Sequence, residues 1–454
     1  MMMWRRWVRM LPLALAVTAC DQVDAIRDEF RDLTPHETYV QSLRVAGLGE
    51  TALVQAWLEA ADGAVSDAPV VGLPYEEEGF LFPDDPRAVG YRLRLRRGQR
   101  LTVDFRLQGE SPARVFLDVY RVQQDSGRDP VSVLATDSLL TEVEFVAGWE
   151  ADYIVRIQPE LLRGGRYRIT LRGGASLTFP VQGKDTRAIL SAFGDSRDAG
   201  RRSHHGVDIF AARGTPVLSA TNGRVSRASL TSIGGKVIWV RDSGRSQSIY
   251  YAHLDSQVVR RGETVRRGDT LGFVGNTGNA RTTPPHLHFS VYARRRGPVD
   301  PYYFLYEPGG AIPELTASLE NLGRWTRTST AGIRLREGPG RRRRVTRELT
   351  RYTPLLVVAA VGSWYRVELP DGTPGFVAAR LTEGANQPLR REVAAAGGPI
   401  QSLPRVGAPV VGRVAPGTDV PVLGEFGDFL YVQLPTGRPG WMATPLIEGA
   451  GQDR

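Results

Sequence analysis

The stretch PPHLHFS at residues 284–290 places two of the chain's six histidines one residue apart. Successive side chains of a β-strand point to opposite faces, so His286 and His288 should lie side by side. Leu287 and Phe289 would then point into a core. Two neighbouring imidazoles suit a metal ion, an acid–base pair or both, and the plain alternative is a pair of ordinary strand histidines.

Three further histidines fall in two other short motifs. His204 and His205 lie just before Asp208 in RSHHGVD, and His253 lies in YAHL. Five of the six histidines therefore belong to three motifs, whereas random placement would scatter them. A catalytic zinc ion keeps three protein ligands and leaves one position open, so these groups should divide into ligands and other catalytic residues.

The three motifs resemble the LytM/lysostaphin family of zinc endopeptidases, over roughly residues 188–305. Accessory stretches agree with the family pattern: FG (193–194), ARGTPV (212–217), GRV (223–225) and VRRGDTLGFVG (265–275). The resemblance implies an antiparallel β peptidase domain of the LytM type over residues 181–310. It also implies a Zn²⁺ cofactor.

The resemblance assigns roles to the histidine motifs. The implied zinc ligands are His204, Asp208 and His288. The implied catalytic histidines are His253 and His286, and the pattern leaves open which acts as acid and which as base. His205 competes with its neighbour as a ligand but occupies a variable position of the family motif.

Two features depart from the family pattern. Ser290 stands where many relatives carry an acidic residue, and RTTP (281–284) lengthens the approach to His286. Both are expected to contact the groove wall and to affect specificity, not the metal. Some relatives have lost zinc ligands and regulate amidases, but every implied ligand is present here.

The implied activity is hydrolysis of a peptide bond in a stem peptide or cross-link of peptidoglycan. In diderm relatives this is commonly the D-alanyl–diaminopimelate bond, and in lysostaphin-like relatives it is a glycine bridge. The alternatives are a wall-binding scaffold or amidase activator without its own hydrolysis, and an endopeptidase acting on a protein.

The first residues predict export. Three arginines precede an apolar run over residues 10–19, which is too short to span a bilayer and is typical of a signal peptide at 1–19. The following Cys20 completes a sequence that resembles a bacterial lipobox. It implies lipidation at Cys20, a membrane tether and a location in the cell envelope facing the periplasm, with the choice of membrane open. A plain signal peptide with an accidental cysteine is the alternative.

Composition agrees with an envelope location. Cys20 is the only cysteine, so no disulfide can form within one chain. The formal net charge is +9, and a basic surface suits polyanions. An exported protein is not expected to meet nucleic acid, so cell-wall polymers are the expected partners.

Residues 20–66 are interpreted as a helical hairpin that also serves as the tether. Thr34, Pro35 and Glu37 form a capping-box pattern for a first helix. A second helix is expected from about residue 51 to 61. His36 lies far in sequence from the other histidines and is interpreted as a surface residue.

Residues 67–180 predict a β-sandwich. Leu93 and Leu95 alternate with arginines, and Leu101, Val103 and Phe105 repeat this period of two. The pattern resembles the jelly roll of bacterial pre-peptidase C-terminal domains. A spacer that holds the next domain away from the membrane is the favoured interpretation, and carbohydrate or peptide binding is the alternative.

The C-terminal part contains a repeat. GSWYRVELPDGTPGF (362–376) aligns with GDFLYVQLPTGRPGW (427–441). These residues, with IRLREGP (333–339), resemble bacterial SH3-like domains and predict two small β-barrels over residues 325–385 and 390–450. The family implies wall binding. For the first copy binding and packing are both open, whereas packing is favoured for the second, which carries Phe429 in place of Trp364.

Overall fold

The computed structural model describes residues 33–109, 112–123, 128–137, 142–197, 200–434 and 436–446. The predicted signal peptide and Cys20 lie outside these ranges. The chain is mainly β, which confirms the predicted fold class. Within the described ranges no helix is long and apolar enough to cross a membrane. The domain boundaries given above stay predictions.

Two helices form the N-terminal hairpin, α1 (Pro35–Val45) and α2 (Ala52–Ser66). The capping box is confirmed, because Thr34 Oγ1 accepts from the Glu37 amide and the Glu37 carboxylate accepts from the Thr34 amide. The second helix is longer than predicted. It continues past Gly63 because buried Ala64 extends its apolar stripe onto the sandwich.

The prediction that His36 lies on the surface is wrong. Its ring is 6% exposed and stacks on Trp57 with 4.7 Å between centroids. Its Nε2 donates to Gln158 Oε1 over 2.9 Å, since the Gln158 amide group already donates to the Trp57 carbonyl. The hairpin therefore packs on the sandwich through a small cluster of its own, which includes Val40, Trp57 and Phe116, and burial lowers the pKa of His36 to about 4.

The sandwich consists of two antiparallel sheets, ordered β1-β8-β3-β6 and β2-β7-β4-β5. Its strands are β1 (Tyr75–Leu81), β2 (Val89–Leu95), β3 (Gln99–Gln108), β4 (Val115–Arg121), β5 (Val131–Asp137), β6 (Glu142–Val146), β7 (Ala151–Pro159) and β8 (Gly165–Ala175). The alternating apolar residues meet between the sheets, as the period of two predicts.

The next region is built on one large antiparallel sheet, ordered β18-β14-β15-β16-β20-β12-β9, with β21 paired to β20. A small sheet, β13-β19-β17, and the pair β10-β11 complete it. The strands are β9 (Ile189–Ser191), β10 (Ser196–Arg197), β11 (Arg202–Ser203), β12 (Val207–Phe210), β13 (Pro216–Leu218), β14 (Gly223–Thr231), β15 (Gly235–Asp242), β16 (Gln247–Leu254), β17 (Ser256–Gln257), β18 (Thr264–Val265), β19 (Thr270–Phe273), β20 (His286–Ala293) and β21 (Gly297–Val299). A short helix, α3 (Tyr302–Leu305), follows.

The two C-terminal repeats form similar antiparallel units. The first contains β22 (Trp325–Thr328), β23 (Ile333–Arg336), β24 (Val345–Leu349), β25 (Pro354–Val361), β26 (Trp364–Glu368), β27 (Pro374–Ala378) and β28 (Thr382–Gly384). The second contains β29 (Arg390–Val393), β30 (Gly398–Gln401), β31 (Val410–Val414), β32 (Asp419–Phe426), β33 (Phe429–Gln433) and β34 (Pro439–Ala443). Strand β25 also pairs with β1, so the first repeat extends a sheet of the sandwich.

A buried ion cluster marks the contact between the sandwich and the first repeat. Glu77 on β1 is fully buried and accepts hydrogen bonds from three tyrosine hydroxyls: Tyr75, Tyr91 and Tyr167. Arg366 of the first repeat lies 3.6 Å from the same carboxylate. A buried carboxylate needs such a partner, so this contact ties the two units together.

Buried His36 predicts a pH dependence of local stability. The unfolded imidazole binds a proton near pH 6.5 and the folded one only near pH 4, so stability present above pH 6.5 is lost as pH falls. The loss approaches about 3 kcal/mol by pH 4. Hydrogen exchange at α1 and α2 should therefore accelerate between pH 7.5 and 5, after correction for intrinsic rates.

The substitution His36→Gln should flatten this profile, because it removes the titrating group. The matched control is His205→Gln, which replaces an exposed histidine and should keep the wild-type profile. An H36Q profile as steep as that of the wild type would refute the assignment.

Candidate metal centre and catalytic cleft

The sheet register places two of the predicted ligands side by side. Strands β12 and β20 are antiparallel neighbours, and Asp208 lies directly opposite His288. Residues paired in this way point to the same face of a sheet. His204 precedes β12 and is held by a 2.8 Å hydrogen bond from its amide to the Asp195 carbonyl.

Three potential ligand atoms converge at this point. His204 Nε2 lies 3.1 Å from Asp208 Oδ1 and 3.0 Å from His288 Nδ1, and the last two atoms are 2.9 Å apart. Together these residues form a group that could hold a metal ion. His204 and Asp208 come from one motif and His288 lies 80 residues after Asp208, yet the ligand atoms of all three lie within 4.8 Å of one another.

Each of the three residues also makes a polar contact outside the ligand group. His204 Nδ1 lies 2.8 Å from the Ala192 carbonyl, and Arg197 Nη2 donates to Asp208 Oδ2 over 2.6 Å. His288 Nε2 lies 2.9 Å from the hydroxyl of Ser290. Such outer contacts fix the orientation of metal ligands and tune their affinity.

The expectation that Ser290 contacts the groove wall is wrong. Its side chain is fully buried and lies behind His288, where it reaches the ring nitrogen that faces away from the ligand group. The period of two explains this position, because Ser290 follows His288 on the same face of β20. The smaller and neutral serine can pair with the imidazole without adding a charge.

The donor set fits a zinc ion. His204 Nδ1 lies closer to the Ala192 carbonyl, at 2.8 Å, than to the Arg197 guanidinium, at 3.1 Å. The carbonyl can only accept, so Nδ1 carries the hydrogen and the lone pair of Nε2 faces the Asp208 carboxylate. Lone pairs that converge in this way repel unless a cation lies between them. Two imidazole nitrogens and one carboxylate oxygen, without a thiolate, are ligands that zinc accepts in catalytic sites.

The protonation states agree with this fit. Burial alone raises the pKa of Asp208, but the adjacent imidazoles of His204 and His288 outweigh it and hold the pKa well below its usual range. Burial lowers the pKa of His288, although the Asp208 carboxylate opposes this effect. At neutral pH the group therefore offers an anionic carboxylate and a neutral imidazole, as metal binding requires.

Gly206 directly precedes β12 and allows the chain to approach β20 closely. A Cβ at this position would lie 2.5 Å from the Phe289 carbonyl oxygen, 2.4 Å from Ser290 Oγ and 2.9 Å from His288 Cε1. Any other residue would therefore displace His288 from the ligand group. The glycine of the RSHHGVD motif is required by this contact.

The two predicted catalytic histidines lie beside the ligand group. The rings of His253 and His286 are 5.1 Å apart, and His253 is 5.9 Å from His288. The Nδ1 atoms donate to the carbonyls of Thr277 and Pro284, over 2.9 and 2.8 Å. This leaves each Nε2 as the nitrogen available for proton transfer.

His253 has an unusual backbone. Its φ of 61° lies in the left-handed region, which costs energy for a residue with a side chain. Its amide donates to the Gly234 carbonyl, which helps to hold this conformation. Burial lowers the pKa of His253 to about 4, so its imidazole is neutral at neutral pH and can accept a proton.

The other two histidines lie apart from this arrangement. His205 is exposed at the rim of the cleft and is not part of the ligand group, whereas His204 is 5% exposed. His36 lies in the helical hairpin. The roles assigned to the site residues stay predictions, but the structure brings all five of the predicted side chains together.

The ligand group opens into a cleft of about 890 Å³. Several residues of the cleft were not predicted from the sequence. Arg197, whose side chain donates to Asp208, is one of these residues. Its position shortly after the FG pair (193–194) is the sequence feature that could have indicated it. Others are three aromatic side chains on the cleft floor, which no motif indicated: Trp239, Tyr250 and Tyr292.

Comparison with known proteins identifies this part of the chain. Residues 202–301 match the model of Peptidase family M23. The L-Ala--D-Glu endopeptidase of Bacillus subtilis is 36% identical over 135 residues, which are 27% of this chain and 41% of the relative. The peptidoglycan DD-endopeptidase ShyC of Vibrio cholerae is 38% identical over 88 residues, 19% of this chain and 20% of the relative.

A solved structure is also similar in sequence to part of this chain. The catalytic domain of lysostaphin from Staphylococcus simulans is 30% identical, with 25% of this chain and 88% of that chain covered and a TM-score of 0.24. The chain spans less than half the length of the curated relatives named here. The match of residues 202–301 to Peptidase family M23 confirms the resemblance inferred from the histidine motifs.

The hydrogen bond to His288 predicts that Ser290 supports metal affinity. Replacing Ser290 with Ala removes the partner of Nε2 and should weaken zinc binding about 10- to 100-fold, the usual effect of losing an outer contact. Competition against a chromophoric chelator measures the change. The control is Ser232→Ala, an exposed serine of the same cleft that touches no ligand. Equal zinc affinity in the two variants would contradict this role.

Proposed function

We propose that this protein is a zinc-dependent endopeptidase that hydrolyses peptide bonds in peptidoglycan stem peptides or cross-links. The observation that carries the proposal is the convergence of His204, Asp208 and His288 beside two further histidines in an open cleft. Three ligands on one side leave room for substrate and water on the other. Relatives of the domain are named as peptidoglycan endopeptidases.

The mechanism follows from the positions of the side chains. His204, Asp208 and His288 would hold the zinc ion, which supplies Lewis-acid polarisation of the scissile carbonyl and of the attacking water. His253 and His286 keep their Nδ1 hydrogens on backbone carbonyls, so their Nε2 atoms carry out the proton transfer.

One of these two imidazoles accepts the proton of the attacking water. The imidazolium formed in this way then donates the same proton from Nε2 to the leaving amine, while the second imidazole donates to the developing oxyanion when it carries hydrogen on both nitrogens. The rings are close enough to act on one tetrahedral centre, and Arg197 keeps the Asp208 carboxylate in its orientation throughout.

The proposal includes an envelope location. The leader pattern at residues 1–19, the lipobox at Cys20 and the basic composition support a lipid-anchored protein that faces the periplasm. The anchor keeps the peptidase close to its polymeric substrate. The helical hairpin and sandwich then separate the catalytic cleft from the membrane.

For the C-terminal repeats we favour two SH3-like domains that brace the protein. Trp364 and Phe376 of the first repeat pack against the sandwich core. The equivalent residues of the second repeat, Phe429 and Trp441, pack with Trp325 at the start of the first repeat. Both copies thus dock by the same face, which supports packing over wall binding by that face.

Digestion of purified sacculi tests the hydrolase assignment. The zinc-loaded protein should release peptide fragments with new chain ends, and a chelator should stop the release. His286→Ala should lower the rate about 10²- to 10⁴-fold, the range for loss of an acid–base group. Mass analysis of the fragments identifies the bond.

A neighbouring pair of histidines provides the matched control. His204→Ala should abolish digestion, whereas His205→Ala should keep most of it, because the second side chain lies outside the ligand group. Intact sacculi after incubation with zinc-loaded wild-type protein would refute the proposal. They would favour the second candidate, a scaffold or amidase activator.

A further inference from the structure

The face of the sheet that carries His288 continues away from the ligand group. Residues directly opposite each other in antiparallel strands share a face, so the strand register defines the cleft floor. Next to His288 and Ala252 this face carries two cross-strand rows. The first contains Ser290, which is buried behind His288, and then Tyr250, Trp239 and Arg227; the second contains Tyr292, Ser248 and Arg241.

Three aromatic rings dominate this floor. Trp239 lies 4.6 Å from Tyr250 and 4.9 Å from Tyr292, measured between ring centroids. The ring of Tyr250 is 5.8 Å from that of His288. We name these three residues, Trp239, Tyr250 and Tyr292, the aromatic platform.

The platform is not part of the hydrophobic core. The core of this region is formed by side chains on the opposite face of the same strands, such as Ile238, Tyr251 and Phe289, which are fully buried. The platform rings are instead half-buried and line the cleft. Large aromatic surfaces that remain partly exposed beside a catalytic site are typical of ligand contacts.

The border of the platform is polar and cationic. Arg227 and Arg241 are exposed at the ends of the two rows, and Ser248 is half-buried between Tyr292 and Arg241. These rows contain no carboxylate. The floor therefore offers half-buried aromatic rings in the middle, with Trp239 tilted by 39° to Tyr250 and by 51° to Tyr292, and hydrogen-bond donors around them.

We propose that the aromatic platform binds a sugar ring of the glycan strand to which the substrate peptide is attached. A pyranose ring presents a flat face of C–H bonds that stacks on aromatic rings. Its hydroxyl and N-acetyl groups project sideways, where the arginines and Ser248 can donate hydrogen bonds. The inference rests on the proposed peptidoglycan hydrolase function and names the part of the substrate that the cleft recognises beyond the peptide.

The distances allow one substrate to occupy both places. The ring centroids of His288 and Tyr250 are 5.8 Å apart, and those of Tyr250 and Trp239 are 4.6 Å apart. An extended peptide advances about 3.3 Å per residue, so a sugar joined to a short peptide can reach the platform while a nearby peptide bond lies at the ligand group. Aliphatic peptide side chains, the alternative occupant, would be better enclosed by a deep pocket than by an open floor.

Two substrates that differ only in their sugars test the inference. The first is a cross-linked muropeptide released from sacculi by a muramidase, and the second is the same material after an amidase has removed its sugars. Wild-type protein should cleave the sugar-bearing form with the higher kcat/KM. Trp239→Ala should lower kcat/KM for that form about tenfold, mainly through KM, as expected for one lost aromatic contact.

The decisive quantity is how much more Trp239→Ala lowers kcat/KM for the sugar-bearing substrate than for the sugar-free one. For the sugar-free peptide, Trp239→Ala should have an effect at least threefold smaller, and Trp239→Phe, which keeps a ring, should retain most of the preference. Trp149→Ala replaces an exposed tryptophan of the sandwich outside the cleft and should leave both rates as in the wild type. Zinc content and circular dichroism confirm that the variants are folded.

Two results would count against the inference in different ways. If the wild type cleaves both substrates and Trp239→Ala lowers both rates equally, the platform binds peptide and the sugar assignment is wrong, while the hydrolase function stands. If the zinc-loaded wild type cleaves neither substrate, the proposed function fails and the sugar assignment fails with it.

Discussion

The site depends on the register of two neighbouring strands. Pairing of Asp208 with His288 brings a carboxylate and an imidazole to one face, and a shift of β20 by one residue would turn His288 into the core. The register is fixed by the alternating core residues of β20, Leu287, Phe289 and Val291, which are fully buried. The packing of the core therefore also sets the geometry of the ligand group.

Two local features of the backbone also position the side chains of the catalytic cleft. The left-handed backbone of His253 costs energy and is held by the hydrogen bond from its amide to the Gly234 carbonyl, and the close approach of the strands requires glycine at position 206. Outside the cleft, the buried Glu77–Arg366 pair and the shared sheet of β1 and β25 attach the first repeat to the sandwich. The regions around the peptidase domain therefore form packed units and are not loosely connected modules.

The sequence predicted the chemistry of the site better than its surroundings. Three histidine motifs were enough to select the five side chains that converge, because their spacing in strands and their family pattern agree. Ser290 was misplaced because its contact with His288 depends on burial, which spacing alone does not show. His36 was misread because its partners, Trp57 and Gln158, are distant in sequence. The aromatic platform was missed for the same reason, since its rings come from three strands and meet only through the register.

The most direct test of the central claim is anomalous X-ray scattering at the zinc absorption edge from crystals of the zinc-loaded protein. The account predicts one strong peak about 2.0 to 2.2 Å from His204 Nε2, His288 Nδ1 and an Asp208 carboxylate oxygen. A peak bound by His205 instead of His204, or zinc-loaded crystals without a peak at these three atoms, would contradict it.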